Sequence, residues 1–391
     1  MQPHDNQRIG RFVVSAVGGE TVRAYIPPPL PPVPAVCLDS VQVLLERANQ
    51  ALGRLDGLAS FLPNLSLFIY AYVRKEALLS SQIEGTQSSL SDLLLFENDE
   101  TPGVPIEDVQ EVSNYVAALS HGLKRIREGF PLSLRLIREI HEILLSRGRG
   151  SNKEPGEFRR SQNSIGGSRP GNATFVPPPP EFVMECMGQL EVFLHMEARE
   201  LPLLVRAALV HVQFETIHPF LDGNGRLGRL LITFLLCAGA ALSEPILYLS
   251  LYLKSNRRIY YDLLTSVRTS GNWEAWIEFF LTGVQETSGQ AIVSARRLIA
   301  LLDADRKKIE SLGRPAASVL RIFQYAQTHP ILSIAPTAEK TGSTFPTVAS
   351  AIDHLQRLGI LHEITGRPRH RLFAYGGYMD ILNEGTEPLR R

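Results

Sequence analysis

Apolar residues recur every three to four positions over most of the chain, which is the spacing of one buried helical face. Between residues 40 and 130 the run Val41, Leu44, Leu45, Ala48, Leu52 opens this pattern, and it continues over Leu65 to Ile83 and Val109 to Ile126. It resumes around Leu134 to Leu145, Glu181 to Met196, Leu203 to Thr216, Arg226 to Ala240, Ile259 to Arg268 and Trp273 to Val284. Residues 12 to 26 instead alternate apolar and polar positions around Gly18-Gly19, which predicts a small hairpin. The proline run from Pro27 to Pro34 follows; it reads as a stiff strap across the protein's own surface, with an SH3-type ligand as the other reading.

Two further stretches break the helical period. Residues Pro155 to Gly167 and Ala173 to Val176, ahead of four prolines, predict a hairpin between two helices. Beyond Gly313-Arg314-Pro315 the order becomes helix (Ser318 to Gln327), short helix (Thr337 to Thr341), helix (Thr347 to Leu358), then strands Ile360 to Ile364 and Arg371 to Tyr375 around Gly366 to Arg369. That order resembles a winged helix, with His354, Arg357, Arg367 and Arg369 as the cations that would face DNA. Winged helices also dock proteins, so a DNA or protein partner is expected there.

At 391 residues and 44% hydrophobic content the chain can bury sizeable cores in two or three domains. Forty basic residues balance forty acidic ones, so no net field favours nucleic acid or an anionic membrane. Cys37, Cys186 and Cys237 form no Cys-x-x-Cys pair and read as reduced core residues. The polar stretch Met1 to Arg11 lacks an apolar signal segment, and no run approaches a membrane span, so a cytoplasmic protein is expected.

The candidate chemistry lies in His218-Pro219-Phe220-Leu221-Asp222-Gly223-Asn224-Gly225-Arg226-Leu227-Gly228-Arg229. Glycines on either side of Asn224 free backbone N–H groups to turn toward an anion, and the apolar run that follows places the turn at a helix N-terminus. Arg226 and Arg229 share a face of the first helical turn, and guanidinium suits phosphate through its paired donors. His218 can accept a proton near neutrality. No Gly-x-x-x-x-Gly-Lys-Ser/Thr occurs, which argues against a P-loop enzyme. His211 and Glu215 stand four apart but lack a third metal ligand, and read as helix-surface or supporting residues.

The twelve residues match every fixed position of the signature His-x-Phe-x-Asp/Glu-Gly-Asn-Gly-Arg-x-x-Arg, so the chain resembles the Fic family. The resemblance implies a mainly α protein: a helical catalytic core with a β-hairpin flap, an N-terminal helical region and a C-terminal winged-helix domain. It implies an adenylyltransferase that moves AMP from ATP to a Ser, Thr or Tyr hydroxyl of target proteins and of itself. His218 would be the general base, and Asp222 would hold Mg²⁺. The ATP-binding stretch would comprise His218, Gly223, Asn224, Gly225, Arg226, Leu227, Gly228 and Arg229, with Arg226 and Arg229 on the β- and γ-phosphates. Tyr260 and Tyr261 occupy a place where related sequences put tyrosines near the base, Tyr261 being the better placed of the two. Ser164, Ile165, Gly166 and Gly167 fall in the flap that aligns a target segment by strand addition. Ser80-Ser81-Gln82-Ile83-Glu84-Gly85 resembles the family's inhibitory motif, with Ser80 as its first residue and Glu84 expected on Arg229.

The expected division is residues 1–39 as hairpin and strap, 40–130 as the inhibitory helical region, 131–284 as the catalytic domain and 285–313 as a helical linker. Residues 314–380 would form the winged helix and 381–391 a tail, with 314–391 separable because every catalytic candidate lies upstream. Removal of AMP, transfer of another nucleotide or phospho-group, a nucleotide-sensing DNA-binding regulator and a homodimer are left open at this point.

Overall fold

The computed structural model describes residues 8–60, 65–97, 104–196, 201–367 and 369–389. The polar start Met1 to Gln7 and Pro368 of the expected basic tip therefore lie outside the described residues.

A hairpin opens the chain: β1 (Arg11–Val17) pairs antiparallel with β2 (Glu20–Ile26), Val17 opposite Glu20. Its two-residue turn is possible because Gly18 and Gly19 both take positive φ, +58° and +83°. The proline strap then crosses the catalytic core, where the Pro28 carbonyl accepts from Gln213 Nε2 at 2.8 Å.

The N-terminal helical region comprises α1 (Gln42–Ser60), α2 (Leu65–Ile83), α3 (Leu90–Phe96) and α4 (Ile106–Arg127). The sequence pattern did not single out α3; a Ser89–Asp92 capping box starts it. From Ala77 to Ile83 every residue of α2 is buried, polar ones included, so this helix is central to the protein.

The core continues with α5 (Leu134–Leu144), α6 (Pro180–Leu194), α7 (Leu203–Ile217) and α8 (Asn224–Ala238). Helices α7 and α8 pack on each other and present their connecting loop at one end, and that loop carries the signature. Helices α9 (Ser250–Ser255), α10 (Arg257–Ser270) and α11 (Trp273–Glu310) complete this part. At 38 residues α11 is about 57 Å long, and it runs unbroken across the boundary expected at residue 284.

The C-terminal region comprises α12 (Ala316–Thr328), β3 (Ile331–Ser333), α13 (Ile334–Thr341), α14 (Phe345–Arg357), β4 (Leu361–Glu363) and β5 (Leu372–Tyr375). The three strands order as β3-β5-β4. Of the expected DNA-facing cations, Arg357 and Arg369 are exposed and His354 is half-buried.

The described part of the expected tail, residues 381–389, begins within a further helix, α15 (Gly376–Asn383). Past α15 the chain lies against α2 and α9: Lys75 Nζ donates to Glu384 O at 2.8 Å, Gln82 Nε2 to Thr386 O at 2.8 Å, and Lys254 Nζ to the carbonyls of Gly385 and Glu387. Tyr375 Oη also donates to Asp305 Oδ2 on α11 at 2.7 Å. The C-terminal region thus shares one apolar core with the helices that carry the site, which is a closer association than the expected separability. Among the described residues no helix is long and apolar enough to cross a membrane. Cys186 is buried and Cys237 partly so, but Cys37 is exposed rather than in the core.

Candidate active site

Helix α7 stops at Ile217 because His218 turns left-handed, φ +49°, while its N–H still bonds Phe214 O at 2.9 Å. A non-glycine residue there costs roughly 1–3 kcal/mol and persists only where its surroundings enforce it. Arg159, 2% exposed, is the main restraint. Its Nε donates to His218 O at 2.8 Å, its Nη2 to the Ile217 and Pro178 carbonyls, and its own N–H to Pro219 O at 2.9 Å.

Two residues downstream Phe220 is buried, its ring stacked on His141 with centroids 3.7 Å apart. The Asn224 amide closes the loop on itself, Oδ1 accepting from Phe220 N at 2.9 Å and Nδ2 donating to Phe220 O at 2.8 Å. Asn224 therefore shapes the turn through its side chain. His141 Nδ1 accepts from Gly156 N, so Nε2 carries the proton donated to Asp222 O at 3.0 Å. Burial pushes His141 down to about 4 and keeps it neutral.

Asp222 Oδ1 accepts from Gly223 N at 2.6 Å, and a Cβ on Gly150 would stand 2.7 Å from Oδ2. Gly223, φ +76°, then starts α8, so the helix N-terminus opens beside a carboxylate, an imidazole and two guanidiniums. Arg226, 1% exposed, has Nη1 3.2 Å from Glu111 Oε2 on α4, and Arg149 Nε lies 2.9 Å from Oε1 of the same carboxylate. Neither Nε nor Nη1 of Arg226 has a hydrogen-bond acceptor among the described residues. Glu111 thus balances the Arg226 charge from one side, while the Nε donor is left without an acceptor and could serve an incoming anion.

Arg229 is held from α2 and the residue just past it. Its Nε donates to Ser80 Oγ at 2.8 Å, and its Nη2 to Ser80 O at 3.0 Å and Glu84 Oε1 at 2.7 Å. Burial acts to raise the Glu84 carboxyl, but the Arg229 charge and hydrogen bond outweigh it and hold it below the usual range. Gly85, φ +101°, lets the chain leave α2 just past Glu84. A Cβ on Gly225 would stand 2.1 Å from Glu84 Oε1, so the carboxylate lies directly on the backbone of the first turn of α8.

His218 is half-buried, and desolvation followed by the charges of Arg159 and Arg268 pushes it down to about 3, so the imidazole is neutral. Its Nδ1 has no partner among the described residues. Arg268 is itself buried, donating to Thr216 Oγ1 at 3.1 Å and Glu215 O at 3.2 Å.

Several expected site residues lie in the packing beneath the turn. Leu227 is fully buried, and Gly228 is where α8 meets α7: a Cβ there would stand 2.6 Å from Glu215 Oε1. Tyr260, 1% exposed, bonds His211 Nε2 through its hydroxyl at 2.8 Å, while His211 Nδ1 donates to Gly228 O at 3.0 Å and its ring stacks on Trp276. The Tyr260 ring therefore has no open face, and His211 and Glu215 are core rather than helix-surface residues. Tyr261, next along α10, is 39% exposed.

The flap holds a single bridge: Ile165 N donates to Phe175 O at 2.8 Å and Phe175 N to Ile165 O at 3.0 Å. Ile165 spends its N–H and C=O on Phe175, and no backbone bond within the flap engages Ser164 or Gly166. Gly166 and Gly167 take positive φ and begin the turn. Asn163 Nδ2 ties the flap base to Phe220 O at 2.8 Å. Arg159, Asn163, Glu111 and Arg268 were not singled out from sequence; in Arg159 and Asn163, only their place inside the flap segment pointed to them.

A neutral histidine, a helix N-terminus with two buried arginines, and a glutamate just past the end of α2 lie together between packed helices. Residues 42–124 match the family described as Fic/DOC family N-terminal and residues 131–236 the Fic/DOC family, so the chain carries a Fic domain preceded by a Fic N-terminal region. It is 31% identical over 210 residues to a protein adenylyltransferase Fic of Culex quinquefasciatus, covering 52% of this chain and 39% of that protein. The protein adenylyltransferase Fic of Drosophila yakuba is 29% identical over 259 residues, covering 64% of this chain and 48% of that protein. The chain thus spans less than half the length of these relatives. Its fold is similar to that of a Fic family protein from Desulfovibrio desulfuricans G20, with a TM-score of 0.57 at 19% identity, covering 88% of this chain and 98% of that one. Fic-1 (residues 134–508) from C. elegans gives 0.51 at 21% identity, covering 66% of this chain and 74% of that one.

Proposed function

We propose that this chain transfers AMP from ATP to a hydroxyl of a protein, and that Glu84 holds it in check. The observation that carries the reading is the Glu84 carboxylate, which bonds Arg229 at 2.7 Å while lying on the backbone of Gly225. An acidic group sits where a phosphate would be received.

The acceptor oxygen attacks the α-phosphorus, its proton passes to the His218 imidazole, and the bond to the pyrophosphate oxygen breaks. A neutral imidazole is the form that can take that proton, and its depressed affinity keeps it so over the physiological range. Arg226 and the N–H groups at the start of α8 stabilise charge on the phosphoryl oxygens. Arg229 joins them once Glu84 leaves it. Asp222 fits Mg²⁺: a single carboxylate beside a phosphate site is a usual donor for this cation, which retains waters and phosphate oxygens as its other ligands. Bound there it would neutralise charge on the phosphates. The flap edge at Ser164 and Gly166 supports alignment of an extended target segment by main-chain pairing.

Incubation of the full chain and its Glu84→Gly variant with ATP labelled at the α-phosphate tests the reading. Protein-bound label that survives denaturation supports it, and label absent from both proteins and from added lysate contradicts it.

A further inference from the structure

The flap is braced from a part of the chain that precedes the catalytic helices. At its tip, Arg169 Nη1 bonds Glu20 Oε1 at 2.8 Å and Gly171 N donates to Glu20 Oε2 at 2.6 Å. Glu20 is the first residue of β2, immediately after the Gly18-Gly19 turn. Along the flap's second limb, Tyr25 N donates to Val176 O at 2.9 Å, and Val22, Ala24 and Val176 form a small apolar cluster separate from the main core. An exposed ion pair stabilises little by itself. Here both carboxylate oxygens are engaged, and a Cβ on Gly171 would stand 2.2 Å from Oε2, so the turn is fitted to the carboxylate.

The brace matters because the flap's limbs share only one backbone bridge, Ile165 with Phe175. Side chains add local ties, Gln162 Nε2 to Pro177 O at 2.8 Å and Asn172 Oδ1 to the N–H groups of Ser168 and Arg169 at the tip, while Arg159 and Asn163 fix its base to the catalytic loop. Strand addition needs the receiving edge held in one position before the partner arrives, since any freedom left must be lost on binding. The N-terminal hairpin supplies that hold on the side away from the open edge.

We infer that Glu20 is a positioning residue: by fixing Arg169 and Gly171 it sets the flap edge at Ser164 and Gly166 on which an extended target segment aligns. This rests on the transferase reading above. Glu20 touches neither nucleotide-binding residues nor His218, so its effect should fall on the acceptor.

The test uses the full chain carrying Glu84→Gly as enzyme, ATP labelled at the α-phosphate, and a His218→Ala copy of the chain as acceptor protein. Adding Glu20→Ala is expected to raise KM for the acceptor by about three- to tenfold, as for loss of a charge-assisted contact, with kcat and ATP affinity unchanged. Amide exchange at Ile165 and Phe175 should quicken. Gly171→Ala should reproduce both effects by displacing the carboxylate, and Glu20→Gln, which keeps an accepting oxygen, should recover most of the loss. Unchanged exchange at the two amides overturns the inference. So does faster exchange with unchanged acceptor KM, or a loss of ATP affinity that marks a general folding defect. If the Glu84→Gly enzyme labels nothing, the transferase reading fails, while the exchange measurement still decides whether Glu20 holds the flap.

Discussion

Glu84 and Arg229 meet at 2.7 Å between the end of α2 and the first turns of α8, where Ser80 takes the arginine's Nε and shares its Nη2 with the carboxylate. In the proposed mechanism a phosphate and the Glu84 carboxylate would compete for this one cation. Glu84→Gly therefore frees Arg229, and adding Arg229→Ala should erase much of the resulting gain, because the two residues act as a pair. The measurement is initial rate of α-phosphate labelling in the four proteins of the cycle. Additive effects of the two changes would separate them.

Replacing His218 with alanine should lower transfer by ~10²–10⁴-fold while ATP still binds. Calorimetry with ATP, run in parallel with the labelling assay, checks the split. The pH behaviour follows from burial: an imidazole pushed down to about 3 stays unprotonated as pH falls through the ordinary histidine range, so the base is present well below pH 6.5. A His218 resonance in the resting protein that titrates near 6.5 would contradict that environment.

Proline at Ile165 would remove the inward N–H that bonds Phe175 O and so break the flap itself. Ser164→Pro instead removes an N–H that no backbone bond within the flap engages. It should weaken target modification and leave ATP affinity intact. Equal loss of both would point to a nucleotide-only role for the flap.

A stop after Asn383 deletes the carbonyls that receive Lys75, Gln82 and Lys254. Lys75 is 2% exposed and pushed down to about 8 by burial, so losing its acceptor leaves a buried cation unmatched. The truncated chain should show faster amide exchange along α2 and more self-labelling than the full chain. Unchanged values of both would restore the expectation that the C-terminal region is separable.

These contacts mark where the sequence was readable. The catalytic turn was legible because its chemistry is contiguous: a base, a carboxylate, two glycines and two arginines in twelve residues need no tertiary partner to be recognised. Arg159 was not, since its acceptors His218 O and Ile217 O lie 59 and 58 residues away and are carbonyls, which carry no residue signature. The lysines under the C-terminal segment were invisible for the same reason. Tyr260 and Tyr261 sit side by side in sequence but about 100° apart around α10, and only the position of Trp276 and His211 decides which is buried. The flap reads as a hairpin from its prolines and glycines, yet the positive φ of Gly166 and Gly167 and the turn at Pro170–Asn172 leave room for a single bridge. Periodicity predicted the long helices of the core but not the short α3, α9 and α15, which hold too few turns to show a period, and Leu227 and Gly228, within the signature, face the packing.

The central claim is that Glu84 restrains an AMP-transferring site through Arg229. The most direct measurement is self-labelling of purified full-length chain with ATP carrying the label at the α-phosphate, compared between the native sequence and Glu84→Gly. The account expects more label on Glu84→Gly, since each ~1.4 kcal/mol of improved alignment is worth about tenfold in rate, and none when His218→Ala is added. Equal or lower labelling of a folded Glu84→Gly protein would contradict it and reduce Ser80 to Gly85 to an ordinary helix end.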